Sequence, residues 1–432
     1  MDQRQHHAQA RGPHGRGDRG IAAAQRAARQ DSQAAAPLSP RSRSAAAIAA
    51  ASVNLPFGTL YAFSVFLKPM EAQLGATRAE MSFVFGLATV TLTAGMNFAP
   101  ALYRRFSPVW LSIACGAASA TGLWLAALAT TFLQFALGYG LLFGPGAGVI
   151  FILSQQSVNQ TVTTRRGLAN GYVVSLYPLG AMLGAPILGW AIAVFGVRAA
   201  LGGLASVVLA AACAFALLIH VAAIRMMDAA AAERAHDPLG RPFYLLTTVF
   251  FLAAAAGLTV LSQAAAMVQA YGGAAALAVG ATTFITGAVG AARIAGGWLV
   301  DQFTPARVGV GAHVCALGGA VLLTLAPAPL AAALGLALIG VGYGIVSGLT
   351  AGAIAQYWHK NQFGVVAGRL YIAWCAAAVT LPVLGGALFD RSGSYAATLL
   401  IAGGINIAGA LVASRLPPTR RGLSAVAQPH PR

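Results

Sequence analysis

Long runs of apolar residues, separated by short polar or charged breaks, dominate the pattern of this chain. Each run is about 20 residues long, which is the length that an α-helix needs to cross the hydrocarbon core of a bilayer. The pattern predicts twelve membrane-spanning helices, near residues 45–67, 80–102, 109–130, 132–154, 168–192, 197–220, 243–268, 277–300, 307–326, 329–354, 364–389 and 394–416. The chain is therefore predicted to be an all-α membrane protein with twelve transmembrane helices in two six-helix halves.

The polar segments also indicate how the chain is divided. Residues 45–220 are predicted to form the N-terminal half and residues 243–416 the C-terminal half, with a cytoplasmic linker at 221–242. Residues 1–44 are basic and typical of a disordered tail, and residues 417–432 form a second tail. The first tail lacks the apolar core of a signal peptide, so an organellar presequence and an over-extended start codon stay open as alternatives.

The two halves repeat each other at a constant offset of 197 residues. The offset superposes one turn, Phe106-Ser107-Pro108, on another, Phe303-Thr304-Pro305. It also pairs glycines of several helices, namely Gly167 with Gly364, Gly171 with Gly368, Gly189 with Gly386 and Gly196 with Gly393. Parallel repeats with a binding site between them, near the middle of the membrane, are an architecture of secondary transporters.

Composition and charge agree with a polytopic membrane protein. The 432 residues are 58% hydrophobic and only 9% charged, which is far from the usage of soluble domains. The net charge of +17 reflects Arg and Lys in the breaks at Arg104, Arg165, Arg225, Arg307 and Lys360, which all fall on one side of the predicted topology. This bias predicts cytoplasmic termini rather than a nucleic-acid partner. The preference for Arg over Lys, 25 to 2, suggests a bacterial inner membrane, and the protein is expected to be a monomer.

Metal, cofactor and catalytic chemistry are not predicted. The four cysteines, Cys115, Cys213, Cys315 and Cys375, fall inside apolar runs without CxxC spacing or paired histidines, so they are expected to be free thiols. No nucleophile, metal cluster or acid–base pair stands at depth in a span, so the chain is not expected to be an enzyme.

The charge placed deepest in an apolar run is Arg293. A helix rises about 1.5 Å per residue, so the eight residues from Arg293 to Asp301 place it roughly 12 Å inside the membrane face. A cation at this depth is costly, and such residues usually line a cavity where they bind something. An anion is the predicted ligand. The alternative is that Arg293 reaches toward the interface or pairs with a helix-end carbonyl and has only a structural role.

The segment after Arg293, GGWLVDQFTPAR, resembles a signature of the major facilitator superfamily, in which Gly297, Asp301 and Arg307 match the conserved pattern. The first half departs from it, with Pro100 and Arg104 in place of the Gly and the Asp. This resemblance implies the major facilitator fold and a gating role for Gly297, Asp301 and Arg307, in a charge latch that closes one side.

Two further stretches, Tyr61 to Phe83 and Arg165 to Leu188, resemble the oxalate/formate antiporter and monocarboxylate transporter families. The resemblance implies that Arg293 is the carboxylate-binding cation and that Tyr61 is a pocket aromatic. The chain also departs from these families. Trp374 stands where the oxalate carrier has a second cation, and Val289 stands where the monocarboxylate carriers have an Asp.

The predicted function is secondary active transport of small organic anions, of the monocarboxylate or oxalate/formate type, by anion exchange with alternating access. The expected partners are a small carboxylate and the lipid bilayer. Polar and aromatic residues predicted to join the pocket are Asn54, Tyr61, Tyr177, Gln263, Thr286, Tyr343, Tyr371 and Trp374. The alternative is a proton-coupled exporter of drugs, sugars or other metabolites, for which His220 and His313 are the titratable candidates in the spans.

Overall fold

The structure of the protein, a computed structural model, describes residues 39–227 and 239–418. The predicted tails, apart from their inner ends, and the middle of the predicted linker lie outside the described residues. Within the described ranges the chain forms twelve helices, α1 (40–74), α2 (Arg78–Arg105), α3 (Pro108–Ala127), α4 (Phe132–Thr161), α5 (166–195), α6 (197–221), α7 (Gly240–Ala270), α8 (Ala275–Gln302), α9 (Pro305–Leu325), α10 (Pro329–Tyr357), α11 (Phe363–Ser392) and α12 (Ala396–Ala413). The predicted all-α fold with two six-helix halves is confirmed.

Helix α1 begins at Pro40, five residues before the predicted start at 45. The hydroxyl of Ser39 accepts a hydrogen bond from the amide of Ser42 and caps the first turn, and proline is well suited to the first helical position. The helix then continues through short segments, Asn54–Phe57 and the 3-10 turn Gly58–Ala62, before Ser64–Leu74.

The irregular part of α1 crosses α5. A β-carbon on Gly58 would collide with the backbone of Tyr177, so only glycine lets the two helices approach this closely. This close crossing holds Tyr61, one turn further along α1, beside Tyr177 near the centre of the molecule.

Helices α5 and α6 form one long apolar segment that turns at Gly196. This glycine has a φ of 84°, in the left-handed region that residues with a β-carbon rarely adopt, and it breaks the helical path between two spans. Helices α4 and α11 are also irregular, since α4 contains a π-helical segment at Ala136–Phe143 and α11 is interrupted between Ala378 and Leu381.

The sequence repeat is also a structural repeat. Gly171 of α5 packs against the backbone of α8 at Arg293 and Gly297, where a β-carbon would collide. Gly368 of α11 packs in the same way against α2 at Met96 and Asn97. Met96 and Arg293 differ by the same 197 residues as Gly171 and Gly368. The two halves therefore meet at two equivalent helix pairs, α5 with α8 and α2 with α11.

Hydrogen bonds join the halves on the side of the Arg- and Lys-rich turns, which we call the basic face. The amide of Asn97 donates to the carbonyl of Gly368 at 2.9 Å. Closer to this face, the side chains of Gln156 and Gln160 donate to the carbonyl of Lys360 at 3.0 Å and to the Asn361 side-chain oxygen at 2.8 Å. The basic face is therefore closed.

Helix α8 packs on α5 from the basic face to beyond the level of Arg293. Gly297, Gly290 and Thr283 lie seven residues apart, and thus on one side of α8, because seven residues make almost two helical turns. Gly297 contacts Gly167 and Gly171 of α5, and Gly290 contacts Leu179, whereas Thr283 is exposed. The packing of α8 on α5 therefore extends from the basic face over at least two helical turns, and Thr283, beyond it, is exposed.

Candidate functional site

Arg293 lies between the two halves, and only 3% of its surface is exposed. Its Nη1 donates to the carbonyl of Val174 in α5 at 2.7 Å, and its Nη2 donates to the hydroxyl of Tyr343 in α10 at 2.9 Å. Helix α10 approaches this closely because residue 348 is glycine, where a β-carbon would collide with the carbonyl oxygen of Arg293. The cation is thus held by one group from each half.

No carboxylate faces Arg293 in the part of the chain that the structure describes. The acids in that part are Glu71, Glu80, Asp301 and Asp390, all at helix ends or in turns. The acceptors of Arg293, a carbonyl and a hydroxyl, are neutral, and its buried Nε has no hydrogen-bond partner. A guanidinium carries five N–H donors, so this one keeps donors free for an anion.

Tyr343 connects Arg293 to α11. Its hydroxyl accepts hydrogen bonds from Arg293 and from the indole Nε1 of Trp374, the second at 2.9 Å. The guanidinium carbon lies 5.3 Å from the centroid of the Tyr343 ring, a distance that allows a cation–π interaction. Tyr343 thereby holds the guanidinium of Arg293 and the indole of Trp374 on the same hydroxyl oxygen.

Aromatic rings from both halves lie around Arg293 and Tyr343. Tyr61 of α1 lies 6.1 Å, between ring centroids, from Trp374 of α11, so this pair connects the two halves. Tyr371 also lies 6.1 Å from Trp374, and it is 5.3 Å from Phe151 of α4. Tyr61 and Tyr371 keep partial exposure, whereas Tyr343 and Trp374 are buried. The structure therefore brings Arg293 together with four of the residues predicted for its pocket, Tyr61, Trp374, Tyr371 and Tyr343.

No described hydrogen bond joins Asn54, which was also predicted for the pocket, to this cluster. In the described part of the chain the Asn54 amide donates only to the carbonyl of Ala51 in the preceding turn, at 2.9 Å. Its buried Oδ1 has no partner. Asn54 therefore bonds to its own helix, a partner that its residue type alone did not predict.

Phe151 is a cluster residue that sequence reasoning missed, because a Phe inside an apolar run carries no distinguishing signal. Tyr177 was predicted, and its ring lies 5.8 Å from Tyr61 and 5.0 Å from Phe151. Tyr177 and Trp374 differ by 197 residues, so they occupy equivalent positions in the two halves. Both rings pack against Tyr61.

The cluster is sealed toward the basic face. A cavity of about 10 Å³, room for about one water molecule, lies on that side and is lined by Gln155, Ser347, Thr350 and Tyr371, among others. Access to Arg293 from the basic face therefore requires the two halves to separate.

The predicted gating residues lie at different places. The Asp301 carboxylate accepts from the backbone amides of Gly167 and Leu168, both at 2.9 Å, and so docks on the first turn of α5. The positive end of the α5 dipole favours this contact. Gly297 packs against Gly167 and Gly171 beside it. Arg307 lies apart from this contact, since its side chain is exposed at the start of α9.

His313 forms a separate polar pair in the C-terminal half. It is 1% exposed, and its Nδ1 lies 3.0 Å from Oδ1 of Asn406 in α12. The Asn406 amide donates to Ala402, which identifies Oδ1 as the atom facing the histidine and Nδ1 as the donor. The described hydrogen bonds of His313 do not reach the Arg293 cluster.

The Tyr343 ring depends on the absence of a side chain at Gly257 in α7, where a β-carbon would overlap the ring. Gly257→Val is expected to lower the free energy of unfolding by about 1–3 kcal/mol, because overpacking forces the ring out of place. Thermal unfolding of the purified protein measures this. Gly280→Val is the matched control, because residue 280 has nothing within 4 Å of a β-carbon. Equal melting temperatures for the two variants contradict the prediction.

Comparison with known proteins gives matches over most of the chain. The sequence pattern of the Major Facilitator Superfamily matches residues 49–380. Monocarboxylate transporter 13 of Bos taurus is 26% identical over 389 residues, covering 84% of this chain and 86% of the relative. Monocarboxylate transporter 11 of Mus musculus is 27% identical over 414 residues, covering 86% of each. The fold is similar to that of the proton:xylose symporter XylE, with a TM-score of 0.71, 13% identity, and coverage of 90% of this chain and 100% of the symporter.

Proposed function

Because this chain belongs to the Major Facilitator Superfamily and is a multi-pass membrane transporter, we propose that it carries small organic anions with one carboxylate group. We further propose that it exchanges one such anion for another across the membrane. The observation that carries both proposals is the buried Arg293, which has spare hydrogen-bond donors and no carboxylate beside it in the described part of the chain.

The chemistry of the site favours an anion as the ligand. A carboxylate that reaches Arg293 forms charge-assisted hydrogen bonds, which are about twice as strong as those between neutral groups. Tyr61 packs beside Trp374, and its hydroxyl offers a further hydrogen-bond donor to a bound carboxylate. The aromatic rings of Tyr61, Tyr371 and Trp374 give the apolar part of a small organic acid a matching surface.

One cation suits one carboxylate. The position equivalent to a second cation in oxalate carriers holds Trp374, whose indole is engaged with Tyr343. The second carboxylate of a dianion therefore meets no cation here and keeps an uncompensated charge in a partly dry site. Similarity to two proteins named monocarboxylate transporters supports the same substrate class.

Exchange follows from the missing counterion. The site must close around Arg293 whenever the halves rock from one side to the other. Closing over an unpaired cation costs several kcal/mol, whereas a bound anion neutralises the charge. At about 1.4 kcal/mol for each tenfold change in rate, a cost of about 3 kcal/mol slows the return of the empty carrier roughly 100-fold. The loaded carrier is then the form that crosses readily.

The two sides of the site differ in a way that suits alternating access. The basic face is closed by Asp301 on α5 and by the glutamines of α4, whereas Thr283, toward the opposite face of α8, is exposed. We propose that the basic face is cytoplasmic, since cytoplasmic loops collect Arg and Lys. In that orientation the cytoplasmic side of the site is the closed one.

Counterflow in proteoliposomes tests the exchange proposal. Loading the lumen with an unlabelled monocarboxylate is expected to accelerate uptake of the labelled acid by roughly 100-fold, because it removes the slow empty return step. Loading with the corresponding neutral amide is the control and is expected to give no acceleration. If the rate of uptake does not depend on the internal anion but rises with an imposed proton gradient, obligate exchange is ruled out and the proton-coupled alternative is supported.

A further inference from the structure

A second cavity lies on the outside of the C-terminal half, near the basic face. Helices α8 and α9 each pack along α10 but contact each other only sparsely beyond their connecting turn, which leaves a groove between them. The cavity in this groove has a volume of about 220 Å³. Its lining is apolar apart from one residue and includes Leu299, Phe303, Val308 and Ile345. The exception is Arg307.

Arg307 stands at the basic-face end of the groove with its charge uncompensated. The side chain is exposed, and within the described part of the chain it makes no hydrogen bond or ion pair. The nearest acid in sequence, Asp301, points elsewhere, because both of its oxygens accept hydrogen bonds from α5. At about 100° per residue, Asp301 lies on the side of α8 opposite to Leu299 and Phe303. The groove thus carries a positive charge at one end only.

Gly311 keeps the groove open. It is exposed, and a β-carbon at this position would have nothing within 4 Å. The internal repeat gives a comparison, because the equivalent positions in the first half are Trp110 for Arg307 and Ala114 for Gly311. The combination of a cation with an open apolar slot is therefore a property of the second half.

We propose that this groove binds one anionic phospholipid, with its phosphate on Arg307 and one acyl chain along the apolar slot past Gly311. Basic pockets between transmembrane helices on the cytoplasmic side are known to suit lipid phosphates. A free phosphate ion lacks the apolar part that this slot accommodates, and a zwitterionic lipid lacks the net charge that Arg307 favours. The site is separate from the Arg293 cluster and does not depend on the identity of the transported anion.

Native mass spectrometry of the full-length protein tests the proposal. The protein in mild detergent is titrated with palmitoyl-oleoyl phosphatidylglycerol or with the phosphatidylcholine of the same chains, and bound lipids are counted. One phosphatidylglycerol is expected to bind more tightly than phosphatidylcholine. Arg307→Gln is expected to weaken phosphatidylglycerol binding about fivefold, the contribution of one cation near a charged lipid surface, and to leave phosphatidylcholine unchanged.

Matched variants separate the groove from general effects of charge and shape. Gly311→Leu fills the slot and is expected to weaken phosphatidylglycerol binding at least as much as Arg307→Gln. Gly404→Leu adds the same side chain at an exposed position of α12, also with nothing within 4 Å of a β-carbon, and Arg105→Gln removes another exposed cation of the basic face. Neither control is expected to change lipid binding.

Three outcomes overturn the proposal. Equal losses in Arg307→Gln and Arg105→Gln indicate a general surface charge effect. Unchanged binding in Gly311→Leu, with its melting temperature intact, shows that no acyl chain occupies the slot. Displacement of the lipid by an equal concentration of glycerol phosphate, which has the headgroup charge without the chains, indicates a site for a free phosphate group.

Discussion

Replacing Arg293 with Gln is expected to lower carboxylate uptake about 100-fold or more. Removing one partner of a buried charge pair typically costs about 2–5 kcal/mol, which is about 30-fold to several thousandfold in affinity. The chain itself is expected to fold, because the Gln amide can still donate to Val174 or Tyr343 and no buried carboxylate is left unpaired. Uptake in proteoliposomes gives the first measurement. Thermal shift with a panel of carboxylates gives the second, with stabilisation expected for the parent protein only.

Arg369→Gln is the matched control, since it removes the same charge from an exposed position in α11. Its uptake is expected to stay within about twofold of the parent, as for most exposed substitutions. Arg293→Lys keeps the charge but loses the planar guanidinium, so its uptake is expected to lie between those of Arg293→Gln and Arg369→Gln. Normal uptake in Arg293→Gln would falsify the proposed binding role and leave Arg293 with a structural one.

Replacing Asp301 with Ala is expected to change the equilibrium between the two forms of the carrier. The ratio of the form open at the basic face to the closed form is expected to rise about thirtyfold. The carboxylate accepts two hydrogen bonds from the first turn of α5, and their loss is worth about 2 kcal/mol or more, since hydrogen bonds to charged groups contribute about 1.5–3 kcal/mol each. Asp301→Asn retains an acceptor without the charge and is expected to produce a smaller shift.

A cysteine introduced at Ser347 reports the shift. Ser347 is 3% exposed and lines the small cavity on the basic-face side of the aromatic cluster. With the four native cysteines replaced, a membrane-impermeant maleimide is expected to label Ser347→Cys slowly in the parent and faster from the basic face after Asp301→Ala. Arg104→Ala is the control, because Arg104 occupies the equivalent position in the first half but is exposed. Equal labelling rates in all three proteins contradict the latch.

The departure of the first half from the signature has a structural counterpart. Asp301 docks on α5, whereas the equivalent Arg104 is exposed and the matching contact of α2 with α11 uses Asn97 and Gly368. The sequence difference was visible in advance. The structural consequence of this difference was not visible. Asn97, which joins α2 to α11 in place of the latch, lies two turns before Arg104, and asparagine has many roles in helices.

Arg307 illustrates the limit of motif reasoning. The signature associates it with Asp301, and a charge pair across a helix turn is a natural expectation. The packing of α8 against α5 instead engages both oxygens of Asp301 with backbone amides and leaves Arg307 on the outer surface. A gating role for Arg307 stays a prediction, and the groove beside it gives the side chain a different environment from the one the motif implies.

The sequence by itself determined the twelve spans, their division into two related halves and the presence of a deep cation without a nearby acid. These are local properties, since the length of an apolar run and the position of a charge within it do not depend on neighbouring helices. Only the tertiary structure decided that Arg293 is held by Val174 and Tyr343 and that Trp374 shares the Tyr343 hydroxyl. These contacts join helices that are distant in sequence, and they depend on how closely Gly348 and Gly257 let the helices approach.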